Sequence, residues 1–237
     1  MQLFLLIKGP ILKSNRTKIA LLLCFMSLNV VGMESLLFLK EFCLHPTEVG
    51  AVAATSSFTG DELCHYLSER DSNSGPLRIL EVGGGFGNVS KIIAEHITDQ
   101  DILDIVEINP EFCKKIEEKV VGKNNVSVQC CSIIDWKPEF QYDLIISTLP
   151  FNAFSYDFFK DIFAHIRTLG TSDVIFSYVE YLALGAIKDA FFFDKDVRDV
   201  KNFLKEEREK SVRIQKVWLN FPPLQVYHLK INENIEA

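Results

Sequence analysis

The chain has 237 residues, 48% of them hydrophobic, and a formal net charge of -7 with five histidines. That length can bury one full α/β core, and the acidic balance opposes the long-range attraction to phosphate backbones on which nonspecific nucleic-acid binding depends. Six cysteines without a C-x-x-C pair, and histidines without an H-E-x-x-H spacing, indicate neither a disulfide framework nor a metal. Reduced, buried thiols are expected, with Cys130 and Cys131 pointing to opposite faces of a strand.

Residues 1–32 place Lys8, Lys13, Arg16 and Lys18 ahead of the apolar run Ile19 to Gly32. Three readings fit this extension: a signal peptide, although no small-x-small cleavage site follows; a short anchor or interfacial helix; or an overlong reading frame whose translation begins at Met33. Residues 33–237 are then read as one domain. An amphipathic helix is expected from Met33 to about Cys43, before His45-Pro46, followed by a small, extended segment over 49–57 and a helix from Gly60 to Arg70. The Ser/Asn/Gly/Pro stretch 71–76 reads as a turn.

From there strands and helices alternate: strand 78–82, helix 87–97, strand 102–106, helix 110–121, strand 125–130, strand 142–147, helix 156–168 and strand 173–178. Asn109-Pro110 is a cap followed by a favourable first helical residue, and Gly122 is a stop. Helices are expected over 179–191 and over 195–210, the latter capped by Asp194. Strands 212–220 and 224–231 are joined by Phe221-Pro222-Pro223, a link short enough to make them antiparallel neighbours. The fold class is therefore α/β: a Rossmann-like, seven-stranded, mostly parallel sheet with a C-terminal antiparallel hairpin and helices on both faces. Nineteen phenylalanines, many at helical spacing between Phe151 and Phe163, are expected mainly in the core.

The chemistry concentrates after the first strand. Gly83, Gly85 and Gly87 form a G-x-G-x-G turn, whereas the dinucleotide fingerprint needs a glycine where Asn88 stands, which disfavours NAD. Glu107 follows Gly83 by 24 positions at the end of the second strand, where a carboxylate can accept bonds from both ribose hydroxyls. The pattern points to S-adenosylmethionine.

Four stretches carry a more specific resemblance, which spans roughly 35–231. They are Phe38-Leu39-Lys40 to His45-Pro46 with Val49 to Ser57, in which Ala54 stands where a proline is usual; the glycine turn with Glu107; Asp143 to Phe151, ending Ser-Thr-Leu-Pro-Phe; and Val217 to Tyr227, containing Asn220-Phe-Pro-Pro. Together these resemble the soluble bacterial phospholipid N-methyltransferases that act on phosphatidylethanolamine and are related to the ribosomal RNA adenine dimethyltransferases. The resemblance implies a class I, S-adenosylmethionine-dependent methyltransferase, cytoplasmic and peripheral on the inner face of the membrane, with a phospholipid partner. It assigns cofactor binding to Glu81, Gly83, Gly85, Gly87, Glu107, Ile108, Ser132, Ile133 and Asp135. Relatives carry Gly-Asp where this chain has Cys131-Ser132, so the contact to the adenine amine falls to Ser132 or Asp135.

Thr148, Leu149, Pro150 and Phe151 stand where adenine methyltransferases carry Asn-Pro-Pro-Tyr, and that motif's absence argues against an adenine substrate. Methyl transfer needs acceptor, carbon and sulfur in line. Carbonyls of this loop and the Thr148 hydroxyl are expected to orient the acceptor amine, and Phe151 to cover the sulfonium by a cation-π contact. Ser56, Ser57, Asn152 and Tyr178 are the expected substrate contacts. Membrane contact is expected through the helix Leu36 to Leu44, or through Phe191 to Phe193. An RNA methyltransferase and a non-catalytic cofactor-binding module are the alternatives.

Overall fold

The computed structural model describes residues 56–71, 74–149, 151, 154–181, 195–220 and 224–232. The N-terminal extension, the helix expected from Met33, most of the segment 49–57, Pro150, Asn152, the stretch 182–194 with Phe191 to Phe193 and Asp194, and Phe221-Pro222-Pro223 lie outside the described residues.

The described chain begins with α1 (Ser57–Leu63) and α2 (His65–Ser68). Ser57 opens a helix where an extended segment was expected, because the Ser56 side chain accepts from Thr59 N at 3.3 Å and so starts the helix earlier. There follow β1 (Arg78–Val82), α3 (Asn88–His96), β2 (Ile102–Glu107), α4 (Pro110–Lys119), β3 (Val126–Cys130), a 3-10 turn at Ile133–Asp135, β4 (Tyr142–Ser147), α5 (Tyr156–Leu169) and β5 (Gly170–Tyr181). Next come α6 (Lys195–Glu207), a second 3-10 turn, β6 (Ser211–Val217) and β7 (Leu224–Lys230). The Asn109 side chain accepts from Glu111 N at 2.9 Å, with Pro110 opening α4, as the sequence requires.

Seven strands form one sheet in the order β3-β2-β1-β4-β5-β7-β6. The first five run parallel, and β7 runs antiparallel to both β5 and β6. The chain order reverses at β1, which has β2 on one side and β4 on the other. In an open α/β sheet such a reversal opens a crevice beyond the carboxyl ends of the strands, which is where ligands bind. Residues 179–181 were expected to start a helix but extend β5, pairing with Val226, Gln225 and Leu224 of β7. That ladder is non-local, which a local sequence window cannot register.

Two apolar layers enclose the sheet. On one face Ile79, Leu103 and Ile105 pack with Leu63, Ile93 and Ile116 of the helices. On the other, Leu80, Val82 and Ile145 pack with the α5 residues Phe159, Phe163 and Ile166 and with Leu204 of α6. Phe159 and Phe163 of α5 are buried, as the helical spacing predicts, and so are Phe151 and Phe176 outside it, whereas Phe158, of the same helical set, and Phe58 are exposed. Among the described residues four cysteines are free: Cys64 and Cys113 are buried, but Cys130 is exposed and Cys131 lies past the strand end. The expectation of uniformly buried thiols on one strand fails there because β3 ends at the sheet edge.

Candidate active site

The glycine turn lies over the carboxyl ends of β1, β2 and β4. Gly83 N donates to Val106 O at 2.8 Å and Thr148 N to Val82 O at 3.2 Å, so the three strand ends are stitched together. Gly83 has φ +79°, and a Cβ there would stand 2.8 Å from Leu149 Cδ2. At Gly87, φ is +73° and a Cβ would meet the α4 backbone at Ile116 at 3.2 Å. Both positions therefore require glycine for conformation and for close approach.

Glu107, 6% exposed, accepts from Gly85 N at 2.9 Å through one carboxylate oxygen and from Asn109 N at 2.8 Å through the other. Each oxygen keeps a second lone pair, so the carboxylate can fix the turn and still receive ribose hydroxyls. Ile108 beside it is 69% exposed, an apolar surface of the kind a purine ring covers. Cys113 on α4 donates to Glu107 O at 3.4 Å. Burial first, then Cys130 and Glu107 beside it, push its thiol up to about 12, which makes it a neutral packing group.

Glu81 is fully buried near the end of β1, and neither carboxylate oxygen has a hydrogen-bond partner. Burial raises its pKa to about 7; Ser90 nearby counteracts this and the Glu107 charge adds to it. Ser90, in the first turn of α3, is buried beside it, and its hydroxyl makes no hydrogen bond of ordinary geometry although it faces the Glu81 carboxyl. A buried, unpartnered carboxylate is costly unless a donor or cation meets it. The donor-poor pair beneath the glycine turn, the cradle that Cβ atoms would fill and the exposed Ile108 together fit a ligand carrying an ammonium, a ribose and an adenine.

Other expected residues sit differently. The Thr148 hydroxyl donates to Gly83 O at 2.5 Å and the residue is 2% exposed, so its proton holds the turn and only the hydroxyl oxygen's lone pairs remain to accept a hydrogen. Phe151 is 2% exposed and rings Phe154, Phe159 and Tyr178 edge-on. Its ring is enclosed in this aromatic cluster and is not open to solvent. Leu149 N donates to Ser147 Oγ at 3.2 Å, and Leu149 O accepts from Phe151 N at 2.9 Å, so the loop is tightly turned. Tyr178 is fully buried between Phe176 and Tyr227, stacked on both. It does not present its hydroxyl to solvent. Ile133 is 7% exposed, Ser132 half-buried and Asp135 exposed, all at the first 3-10 turn beyond β3.

Ser56 is tied to a residue that the sequence did not single out for a role. Asn220 Oδ1 accepts from Ser56 N at 2.9 Å and from Thr59 Oγ1 at 3.1 Å. Below this junction Glu62 pairs with Arg213 Nε at 2.6 Å and faces His228 Nε2 at 3.4 Å, while His228 Nδ1 meets Ser177 Oγ at 2.7 Å. Polar contacts thus fasten α1 to β6 and β7. Asn220 lies in one of the motifs quoted above, but its partners are more than 160 residues away in sequence.

Two cavities of about 480 and 580 Å³ open at the other end of the sheet, around Leu77, Arg78 and Asp143 and around Arg70 and His96. They lie by the amino ends of the strands and contain none of the residues above. Among the described residues no group of three or more His, Cys, Asp or Glu side chains could hold a metal ion.

Residues 79–171 match a family model described as a methyltransferase domain. The chain is an S-adenosylmethionine-dependent methyltransferase. The match covers β1 to the start of β5, the segment that carries the glycine turn and Glu107. The methyltransferase is 22% identical over 137 residues to the ornithine lipid N-methyltransferase of Singulisphaera acidiphila, covering 55% of this chain and 69% of that one. It is 31% identical over 83 residues to a tRNA1(Val) (adenine(37)-N6)-methyltransferase of an Enterobacter species, but spans only 34% of that protein. In fold it is similar to the N-methyltransferase NodS from Bradyrhizobium japonicum in complex with S-adenosyl-L-homocysteine, with a TM-score of 0.57 at 12% identity over 73% of this chain and 85% of that one. Magnesium protoporphyrin IX methyltransferase from Synechocystis with bound S-adenosylmethionine gives a TM-score of 0.54 at 14% identity, over 75% and 80%.

Proposed function

We propose that the methyltransferase transfers methyl groups to the head-group amine of a phospholipid such as phosphatidylethanolamine. The observation that carries this reading is the convergence of the two discriminating motifs on one edge of the sheet. Ser147-Thr148-Leu149 ends β4 against the glycine turn, and Asn220 at the β6 to β7 connection reaches Ser56 at the start of α1. The similarity to an ornithine lipid N-methyltransferase, whose name also specifies a lipid and a nitrogen acceptor, supports the same class.

Bound S-adenosylmethionine supplies an electrophilic methyl group on a positively charged sulfur. The chain's own residues would bind and orient it: Glu81 would meet the amino-acid ammonium, Glu107 the ribose and Ile108 the adenine face, with Ser132 or Asp135 toward the adenine amine. Gly83, Gly85 and Gly87 admit the ligand close to the backbone, and Thr148 holds the turn through Gly83 O. The acceptor amine must arrive uncharged, because only its lone pair can displace the sulfur. In this reading the carbonyls of Thr148 and Leu149 accept its remaining hydrogens.

A tRNA or ribosomal RNA acceptor is the second reading, favoured by the 83-residue similarity to the tRNA methyltransferase and opposed by the net charge of -7. Incubation with radiolabelled S-adenosylmethionine and separated lipid and RNA fractions distinguishes them. Label in phospholipid is expected; label confined to RNA would overturn the proposal.

A further inference from the structure

We infer that the Trp218-Leu219 turn after β6, with the outward side of α1, is the surface on which the protein docks to a lipid bilayer. This inference rests on the phospholipid reading above and names the partner surface of that same site. Val217 ends β6 opposite Leu224, and Leu224 also pairs with Tyr181 at the carboxyl end of β5. The turn after β6 therefore emerges at the same edge of the sheet as the glycine turn and Thr148. There Trp218 is 68% and Leu219 69% exposed, although both are large and apolar. Phe58, 55% exposed, stands on α1 two residues after Ser56, whose N–H is bonded to Asn220 immediately following Leu219.

Three large apolar side chains thus flank one hydrogen-bonded junction at the rim of the site. Elsewhere scattered exposed hydrophobics need no explanation, but a set gathered at a site's mouth marks a contact surface. Three further observations select a bilayer as the occupant. Tryptophan next to leucine suits the headgroup level, where the ring is buried and its N–H stays hydrated. Lys216, exposed just before the turn, supplies positive charge toward anionic lipid. The chain upstream joins at Ser56 itself, and its sequence combines Lys8, Lys13, Arg16 and Lys18 with the apolar run from Ile19. A substrate with two acyl chains stays in the bilayer, so the residues rimming the site must meet the interface.

The test uses the full chain with vesicles of phosphatidylethanolamine and phosphatidylglycerol containing brominated acyl chains. Quenching of tryptophan emission is expected, and Trp218→Phe should abolish the quenched component, because Trp136 is hydrogen-bonded to Tyr142 within the fold. The double substitution Trp218→Ser with Leu219→Ser should lower vesicle partitioning by about a hundredfold, the order for withdrawing two apolar side chains from a lipid phase. It should raise KM on vesicles while leaving the rate on monomeric short-chain phosphatidylethanolamine unchanged.

Vesicle-bound protein with unquenched Trp218, or unchanged partitioning of the double variant, overturns the docking surface. Blue-shifted Trp218 emission without lipid, together with a doubled mass in solution, would assign the patch to a second copy of the chain and also overturn it. If Trp218 is quenched but neither form of the lipid is methylated, the substrate reading fails and the docking surface stands.

Discussion

Glu81 and Glu107 sit near the carboxyl ends of two adjacent strands and have opposite surroundings. Glu107 is satisfied by two backbone N–H groups, while Glu81 has none of its oxygens bonded. Glu81→Gln should therefore affect the free protein and the cofactor complex in opposite senses. With its folded pKa raised to about 7 against 4.5, the group is neutral without penalty at low pH, and stability is lost as pH rises between those values. At pH 8 the amide variant is expected to be more stable by about 2 to 3 kcal/mol in thermal or denaturant unfolding without cofactor. The same variant should bind S-adenosylmethionine more weakly, by about 1 to 3 kcal/mol in calorimetry, since an amide cannot pair with an ammonium as a carboxylate does. Lower stability combined with unchanged affinity would remove the assignment. Glu107→Ala is expected to weaken cofactor binding by about 1 to 3 kcal/mol, and Glu107→Gln, which retains one acceptor oxygen, by less. Equal affinities for all three proteins would show that the clamp is not there.

At the scale of elements, the turn and α1 depend on contacts made far along the chain. Gly83→Ala would put a methyl group against Leu149 at a backbone φ of +79°, so it should reduce both stability and cofactor affinity, each by about 1 to 3 kcal/mol. The fastening of α1 gives a separable prediction. Asn220→Ala removes the acceptor for Ser56 N and Thr59 Oγ1, and a loss of about 1 to 2 kcal/mol is expected, with faster amide exchange over residues 56–63 than over β1. Uniform exchange rates in the variant would mean that α1 is held by its apolar face alone. These elements also show how much could be read in advance. The boundaries of β1 and β4 and the start of α4 follow from apolar runs and from Asn109-Pro110, because capping and strand burial are local. The last turn of β5 was not legible, since its pairing partner lies over forty residues later.

For the molecule as a whole, two buried ionisable groups bracket the pH of greatest stability. His228 is fully buried against Ser177 and Glu62, with His65, Tyr66 and Arg213 around it. Burial, opposed by the Glu62 charge, lowers its pKa to about 4 from 6.5. A depressed histidine contributes stability above the unfolded value that is lost as pH falls through the folded one, so His228 erodes stability between about 6.5 and 4. Glu81 erodes it in the other direction, from 4.5 upward to about 7. The cofactor-free protein is therefore expected to be most stable on the acid side of neutrality, with His228→Gln flattening the acid limb and Glu81→Gln the alkaline limb of a melting-temperature profile. Among the described residues no helix is long and apolar enough to cross a membrane.

The sequence by itself determined the alternation of strands and helices, the terminal hairpin, the glycine turn and the acid beyond the second strand. Each is set by neighbours within a few turns of chain: apolar period, caps and glycine spacing. The tertiary structure decided the roles of individual side chains. It turned the Thr148 hydroxyl toward Gly83 O, enclosed Phe151 among aromatic rings and left Glu81 without a partner. It also joined Ser56 to Asn220, which brings Trp218 and Leu219 to the rim of the site. Burial and hydrogen-bond partnership are relations between distant segments, and they arise only when the sheet brings those segments together.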